Sequence, residues 1–271
     1  MFEKFDLSNK TAVVTGGTGV LGGAMAKALS KAGANVGILG RDETKAENKV
    51  RQITEAGGNA IPLIADVLNE EQLQSAKAKV IDRWDTIDIL VNAAGGNMPN
   101  ATVNPDQSIF DISRKALEKV VDVNFLGSFY ATQIFAKPMI DNKKGSIINI
   151  SSMAAERPMT RVMGYAAAKA SIDNYTKWLA TEFATKYGEG IRVNAIAPGF
   201  FIGEQNHDLL LNEDESLTDR GSTIIEHTPM KRFGEPEDLA GTLIWLCSEA
   251  SAFVTGTVIP VDGGFSAFSG V

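Results

Sequence analysis

The chain has 271 residues, of which 44% are hydrophobic, and carries a formal net charge of −7. This length suits one large domain with a sizeable core, and the acidic balance excludes a duplex-binding surface, because binding to phosphates needs clustered Lys and Arg. The one cysteine, Cys247, excludes an internal disulfide and a cysteine metal cluster. With no signal-peptide core and no run of about 18 apolar residues, we expect a cytoplasmic protein without a membrane segment.

A glycine-rich segment follows the first predicted strand. The strand is Thr11–Thr15, and Gly16–Gly23 leads from it into a helical run, Ala24–Ser30. The glycines that satisfy the spacing G-x-G-x-x-G are Gly17, Gly19 and Gly22. Because glycines permit a tight turn and bring a pyrophosphate close to the amides of a helix N-terminus, this context predicts a dinucleotide site rather than a plain turn.

Strands and helices alternate through the rest of the chain. Further strands are predicted at Asn35–Leu39, Ala60–Ala65, Ile87–Val91, Ser146–Ile150, Ile191–Ile196 and Phe253–Pro260. Helices are predicted at Lys45–Ala56, Glu70–Trp84, Lys115–Phe135, Tyr165–Tyr187 and Pro236–Ser248. This alternation predicts an α/β fold: a single-domain, Rossmann-like doubly wound parallel sheet with helices on both faces. All strands should then end at one edge, and we expect a single domain over residues 1–271.

Three segments fall outside this pattern. Asn97–Ser113 is rich in proline, asparagine and aspartate, which is typical of a loop. Phe200–Arg232 has an acidic middle and should lie over the strand ends as a substrate lid at about residues 200–232. The tail, Phe265–Val271, is largely apolar, and it could pack against another subunit or against its own chain.

A tyrosine and a lysine are spaced to act together. The sequence Tyr165-Ala-Ala-Ala-Lys169 opens a run of strong helix formers, so the two side chains should lie one turn apart on one face. Because a nearby cation favours the phenolate, we expect Lys169 to lower the pKa of Tyr165. Ser152 lies at the end of a predicted strand, where its hydroxyl could face the same point. Alone, this spacing is equally typical of surface residues on an ordinary helix.

Together these features resemble the short-chain dehydrogenase/reductase family. The likeness covers Leu7–Gly264. Its elements are the turn Thr15–Gly22, Asp66, Asn92-Ala-Ala-Gly95, Asn124, Ser152, Tyr165, Lys169, Pro198-Gly199 and Asp262-Gly-Gly264. Each element is a weak signal, but their order and spacing together are specific.

The sequence departs from the family pattern at two places. The family usually has Thr-Gly-x-x-x-Gly-x-Gly, and Val20 occupies the position of the second glycine, with Gly19 one place earlier. Gly203 stands where many members have a threonine that contacts the nicotinamide carboxamide. The first departure bears on the local path of the loop, and the second implies that this contact is lost or replaced.

The resemblance implies hydride transfer between a nicotinamide coenzyme and a carbonyl or alcohol carbon, with no metal. Tyr165 would be the general acid or base, and Lys169 would lower its pKa and bind the nicotinamide ribose. Ser152 would donate a hydrogen bond to the substrate oxygen, and Asn124 would position a proton-relaying water. The implied coenzyme-binding residues are Gly16, Gly17, Thr18, Gly19, Val20, Leu21, Gly22, Arg41, Asp66, Val67, Asn92, Ala93, Ala94, Gly95, Tyr165, Lys169, Pro198 and Gly199.

The variable segments are similar to one branch of the family, the D-mannonate oxidoreductases or fructuronate reductases, with gluconate 5-dehydrogenases as neighbours. The segments that carry this likeness are Gly95–Asn97, Pro198–Phe201, Glu204–Asn206, Ser216–Gly221, His227–Met230 and Gly263–Gly270. We therefore expect a six-carbon sugar acid as substrate, with amides for a polyol and guanidinium groups for a carboxylate. The predicted substrate-binding residues are Asn97, Ser152, Arg157, Tyr165, Gln205 and Arg220.

Two other function classes remain open. One is a reductase of 3-oxo thioesters on an acyl carrier protein, although the acidic segment Glu213-Asp-Glu215 offers no basic surface to an acidic carrier. The other is a nucleotide-binding regulator without catalysis, which would not need the catalytic set Asn124, Ser152, Tyr165 and Lys169.

The choice of coenzyme depends on the end of the second strand. NAD-preferring relatives usually place a carboxylate near Gly40 to bind the ribose 2′-hydroxyl. Here Arg41 could bind a 2′-phosphate, whereas Asp42 could still turn toward the ribose. We expect NADP, with NAD as the alternative.

We also expect a homotetramer with no nucleic-acid or membrane partner.

Overall fold

One parallel sheet forms the centre of the molecule. The computed structural model describes residues 2–203 and 206–270. Its strands are β1 (Thr11–Thr15), β2 (Asn35–Gly40), β3 (Asn59–Ile64), β4 (Ile89–Asn92), β5 (Gly145–Ile150), β6 (Ile191–Pro198) and β7 (Val258–Val261). They form a seven-stranded sheet in the order β3-β2-β1-β4-β5-β6-β7. The predicted α/β, Rossmann-like class is confirmed.

Helices cover both faces of this sheet. They are α1 (Val20–Lys31), α2 (Glu43–Glu55), α3 (Glu70–Trp84), α4 (Arg114–Val121), α5 (Gly127–Phe135), α6 (Lys137–Asp141), α7 (Met153–Glu156), α8 (Met163–Tyr187), α9 (His207–Leu210), α10 (Asp219–His227) and α11 (Ala240–Cys247). A π-helical segment, Asp122–Leu126, joins α4 to α5. Short 3-10 turns lie at Phe2–Phe5, Pro99–Ala101, Ile109–Asp111, Pro236–Leu239 and Glu249–Ser251.

Two hydrophobic cores lie on the two faces of the sheet. Every residue of β1 is buried, and its side chains alternate: Ala12 and Val14 join one core, and Val13 joins the other. α1 and α11 pack on the first face, whereas α3, α5 and α8 pack on the second. Burial of each large aliphatic side chain contributes about 1.5–3 kcal/mol. Strands buried on both faces explain why their sequences are nearly continuous apolar runs.

Several observed elements differ from the predicted ones. α1 begins at Val20 rather than Ala24, because its first turn lies inside the glycine-rich segment. The predicted strand Phe253–Pro260 is wrong in its first half, because Phe253 is fully exposed and β7 begins at Val258. The predicted helix Lys115–Phe135 is interrupted by the π-helical segment, and α7 lies between β5 and the Tyr165 helix, where the sequence pattern predicts no element.

The functional edge of the sheet is set by its topology. The chain runs from β1 outward through β2 to β3, then returns to place β4 on the other side of β1. In such a sheet, ligands bind in the crevice beyond the carboxyl ends of the strands at this switch point. Thr15 and Asn92 are the paired last residues of β1 and β4, so the crevice opens beside them.

The segment between β6 and α11 contains the predicted lid. It includes α9 and α10, which pack through buried Leu210 and Ile224 and are joined by a turn bridged from Leu211 to Leu217. Its role as a lid stays a prediction. Nowhere in residues 2–203 and 206–270 is a helix long and apolar enough to cross a membrane.

Candidate active site

Ser152, Tyr165 and Lys169 meet beyond the end of β5. Ser152 caps α7 by accepting a hydrogen bond from the amide of Ala154 at 3.2 Å, and its hydroxyl lies beside that of Tyr165. Tyr165 and Lys169 lie on adjacent turns of α8, with Lys169 Nζ 5.6 Å from the centre of the Tyr165 ring. The ammonium donates to the carbonyl oxygen of Ile150 at 2.7 Å. The structure therefore brings the three predicted side chains together.

Burial controls the protonation of this site. Loss of hydration raises the pKa of Tyr165, and the neighbouring Ser152 hydroxyl opposes that effect in part. The expected lowering of the Tyr165 pKa by Lys169 is therefore wrong for this structure. Burial also lowers the pKa of Lys169 to about 8, against a smaller opposing effect from Asp173 on the next turn of α8. The amine is therefore mostly charged at neutral pH but loses its proton more readily than an exposed lysine.

Asn124 is fully buried within the π-helical segment. Its Oδ1 accepts from the amide of Gly96 at 3.0 Å, and its Nδ2 donates to the carbonyl oxygens of Gly96 and Val120, each at 2.8 Å. A Cβ on Gly95 would lie 2.5 Å from Asn124 Oδ1 and 3.4 Å from Lys169 Nζ. Asn124 thus fixes the loop after β4 next to Lys169. Its proton-relay role stays a prediction.

The glycine-rich turn is shaped for a close approach of backbones. Gly16 has a φ of 64°, and a Cβ there would lie 2.8 Å from the carbonyl oxygen of Ala93. A Cβ on Gly22 would lie 2.2 Å from the carbonyl oxygen of Gly16. Val20, by contrast, is 38% exposed in the first turn of α1. The departure from the family pattern at Val20 is therefore tolerated, because the tight contact is made by Gly22.

The start of α1 fits a pyrophosphate. Gly19 is its N-cap and has no side chain to accept a hydrogen bond from the first-turn amides. Thr15 Oγ1 accepts from the amides of Ala93 and Ala94, each at 3.1 Å, and so ties the β1 turn to the β4 loop. An anion at the helix terminus would satisfy the first-turn amides and interact favourably with the helix dipole.

The other predicted coenzyme residues surround this crevice. Asp66 Oδ1 accepts from the amide of Leu68 at 3.0 Å, while its Oδ2 lies 3.9 Å from Arg41 Nη1. Val67 is buried against Gly127. Pro198 ends β6, and a Cβ on Gly199 would lie 2.7 Å from the Cα of Asp262. The crevice is thus bordered by the ends of β1, β3, β4 and β6.

The structure places the predicted substrate-binding residues in different surroundings. Asn97 donates to Thr102 Oγ1 at 2.7 Å, and its Oδ1 is buried without a partner. Arg157 is exposed and donates to the carbonyl oxygen of Ser266 in the tail. Arg220 in α10 donates to Thr160 Oγ1 at 3.3 Å. Gln205 lies outside the described residues, as does the neighbouring Glu204 of the lid sequence.

Contacts near the tail show features that the sequence did not indicate. Besides Arg157, Asp262 accepts from the amide of Ser266 at 2.7 Å, and the Phe200 and Phe265 rings lie 5.1 Å apart. This part of the tail therefore packs against its own chain.

Gly203 stands in the position of the family threonine. Its backbone amide donates to Asn206 Oδ1 at 2.8 Å, so a side-chain amide lies beside that position. In the described part of the chain, no three His, Cys, Asp or Glu side chains could together hold a metal.

Known proteins resemble this chain over its whole length. A family model described as enoyl-(acyl carrier protein) reductase matches residues 18–266. A Bacillus subtilis (strain 168) protein named "Uncharacterized oxidoreductase UxuB" is 50% identical, over 98% of each chain. A structure of a proposed D-mannonate oxidoreductase from Haemophilus influenza, with bound NAD, has 43% identity and a TM-score of 0.91 over 98% of each chain. A gluconate 5-dehydrogenase from Burkholderia cenocepacia J2315, in complex with NADP and tartrate, has 31% identity and a TM-score of 0.87 over 98% of each chain.

Replacement of Tyr165 by phenylalanine should remove turnover while leaving coenzyme binding intact. We expect kcat to fall by about 10²–10⁴-fold, the usual contribution of a general acid or base. The assay is the absorbance of the reduced nicotinamide, with coenzyme affinity measured by fluorescence. Tyr187→Phe makes the same chemical change at the far end of α8 and should keep wild-type turnover. A near-normal kcat for Tyr165→Phe would show that the phenol is not the proton donor.

Proposed function

The chain belongs to the short-chain dehydrogenase/reductase family, and from this premise we propose that it transfers hydride between a nicotinamide coenzyme and a six-carbon sugar acid. The first substrate pair is D-mannonate and D-fructuronate. The observation that carries the proposal is the full-length likeness, at 43% identity, to the proposed D-mannonate oxidoreductase from Haemophilus. The more general activity, oxidation of alcohols and reduction of ketones, follows from membership of the family.

The geometry beyond β5 supplies the groups that this reaction needs. When bound, the coenzyme donates or accepts the hydride. In the direction of reduction, the Ser152 hydroxyl donates a hydrogen bond to the substrate carbonyl oxygen, where negative charge develops. The Tyr165 hydroxyl donates the proton to the same oxygen. The phenol is protonated at neutral pH and so holds a proton to give, although burial, which raises its pKa, makes it a weaker acid.

Lys169 and Asn124 support this proton transfer. The Lys169 amine lies 5.6 Å from the centre of the Tyr165 ring, and its positive charge favours the phenolate that remains after the proton is given. Asn124 holds the Gly95–Gly96 backbone beside the amine and thereby fixes the space between the β4 loop and α8. Both residues are buried, which excludes bulk water from this part of the site.

Gluconate 5-dehydrogenase activity is the second candidate. The supporting observation is the likeness to the Burkholderia enzyme, whose structure contains NADP and tartrate. Tartrate is itself a hydroxy acid. Reduction of 3-oxo thioesters on an acyl carrier protein is a weaker alternative, because Glu213, Asp214 and Glu215 are exposed at the turn between α9 and α10 and would repel an acidic carrier.

We further propose NADP as the preferred coenzyme. A Cβ on Gly40 would lie 2.5 Å from Thr18 Cγ2, so the strand ends in a glycine packed against Thr18 and offers no carboxylate at this position. Asp42 accepts a hydrogen bond from the amide of Lys45 at 2.9 Å and caps α2. The Arg41 side chain is 74% exposed, and its one ion pair within the described residues is a long contact with Asp66, so its guanidinium is accessible to a 2′-phosphate.

We also propose a cytoplasmic homotetramer, built from a single domain over residues 1–271 with a lid at about 200–232. The support for assembly is an aromatic cluster where α8 meets the π-helical segment: Trp178 is 57% exposed, and the partly exposed Phe125 packs edge-on against the buried Tyr175. Sedimentation should give four times the chain mass of 28.9 kDa, and a monomer mass would contradict this proposal.

A substrate panel tests the proposed activity. We expect the highest kcat/KM for D-fructuronate among D-fructuronate, 5-ketogluconate and an acetoacetyl thioester, because a site built for a polyol leaves polar groups unpaired against an apolar ketone. The assay follows the oxidation of reduced coenzyme. Preference for 5-ketogluconate would move the assignment to the second candidate, and preference for the thioester would refute the sugar-acid proposal.

The coenzyme proposal predicts the effect of Arg41→Gln. Loss of a charge-assisted contact to a 2′-phosphate should raise KM for NADP about tenfold or more, while KM for NAD changes by less than about twofold. Arg51→Gln, on an exposed turn of α2, is the matched control. A wild-type KM for NAD far below that for NADP, at similar kcat, would contradict the proposal.

A further inference from the structure

Two arginines from different segments approach each other at the lid. Arg161 lies four residues before Tyr165, in the loop that leads into α8, and Arg220 lies in the first turn of α10. Arg220 Nη1 donates to Oγ1 of Thr160, the residue before Arg161, at 3.3 Å. The lid is therefore joined by Arg220 to the loop that also positions Tyr165.

Neither guanidinium has an acidic partner among residues 2–203 and 206–270. Both side chains are partly buried. Burial, and then the like charge of Arg161, lower the pKa of Arg220. Two cations held near each other without a counter-ion repel, and partial loss of hydration adds to the cost. An anion between the two guanidinium groups would offset both their repulsion and their loss of hydration.

The position of Arg161 is strongly fixed. Its φ is 77°, a left-handed conformation that is strained for a residue other than glycine. Its carbonyl oxygen accepts from the amide of Val103 at 2.9 Å, and its Nε donates back to the carbonyl oxygen of Val103 at 3.1 Å. Its Nη2 donates to Asn104 Oδ1 at 2.9 Å. The loop after β4 thus holds a strained residue whose guanidinium is fixed close enough to Arg220 for the two like charges to interact.

We infer that the guanidinium groups of Arg161 and Arg220 together bind the carboxylate of the substrate, one from the loop before α8 and one from the lid. This inference rests on the proposed function, because a sugar acid has a carboxylate to bind. Among the described residues, Arg161 Nη1 and Arg220 Nη2 donate no hydrogen bond, so each arginine can contact one oxygen of the carboxylate. Arg157, which donates to the tail, takes no part in this subsite.

The subsite also gives the lid a function. Arg220 is the first-turn residue of α10, and the Thr218 hydroxyl caps that helix by accepting from the amide of Gly221 at 3.0 Å. A carboxylate that bridges Arg220 to Arg161 fastens α10 to the loop that contains Tyr165. Binding of an acidic substrate then strengthens the contact that Arg220 already makes with this loop through Thr160, whereas a neutral ketose adds nothing to it.

The kinetic test uses Arg161→Gln, Arg220→Gln and the control Arg83→Gln, which lies in the last turn of α3. We expect each subsite variant to raise KM for D-fructuronate about ten- to a hundredfold while kcat changes much less, since a charge-assisted hydrogen bond is lost. Arg220→Lys should recover part of the loss. A ten- to hundredfold fall in kcat with an unchanged KM would overturn the inference. So would kinetic constants that do not differ from those of the wild type.

A binding test separates the subsite from the proposed activity. D-mannonate and D-mannitol differ only in the carboxylate, and each is titrated by calorimetry into the enzyme with oxidised coenzyme present. We expect the wild type to prefer D-mannonate at least about tenfold, and both glutamine variants to lose this preference while keeping coenzyme affinity. Retention of the preference in the variants would overturn the inference.

The substrate panel and the calorimetric comparison test different claims, so either can fail without the other. If the wild type reduces neither keto acid but accepts the thioester, the proposed function is wrong. The calorimetric result then decides on the subsite alone: D-mannonate binding that is lost in both variants supports it, and absence of D-mannonate binding to the wild type overturns it.

Discussion

The buried amine of Lys169 is the constraint on which the rest of the site depends. Only 5% of this side chain is exposed, and its hydrogen bond to the carbonyl of Ile150 joins α8 to the end of β5. Gly95 leaves the space that Asn124 Oδ1 occupies, and Asn124 fixes Gly96 beside the amine. Strand end, loop and helix are therefore arranged around one cation that has lost most of its water. That loss lowers the pKa of the amine to about 8, close to the range in which proton transfer is efficient.

The sheet determines which groups can reach this amine. Because β4 lies beside β1, the turn after Thr15 and the loop after Asn92 border one crevice, and Thr15 Oγ1 joins them. β5 follows β4 in the sheet, so the Ser152 loop opens onto the same edge. A coenzyme that spans the crevice from α1 would reach the Tyr165 side of the site without any further element.

Much of this arrangement could be predicted from the sequence, because apolar runs that end in Gly, Asn or Ser mark buried parallel strands and their loops. The start of α1 could not, since Val20 continues a glycine-rich run that resembles a turn. An aromatic residue at position 253 is typical of a strand, but in this fold Phe253 is fully exposed. The direction of the Tyr165 pKa shift depends on burial by tertiary packing, and local spacing to Lys169 does not reveal it. The pairing of Arg220 with Arg161 likewise depends on how the lid packs.

The protonation of Lys169 tests the account most directly. An NMR titration of the lysine side chains, with Lys169→Met to assign the resonance, measures the pKa of this amine in the folded protein. Burial predicts a midpoint near 8. A midpoint near 10.4, the ordinary value of a hydrated lysine, would contradict the claim that loss of water at this amine sets the chemistry of the site.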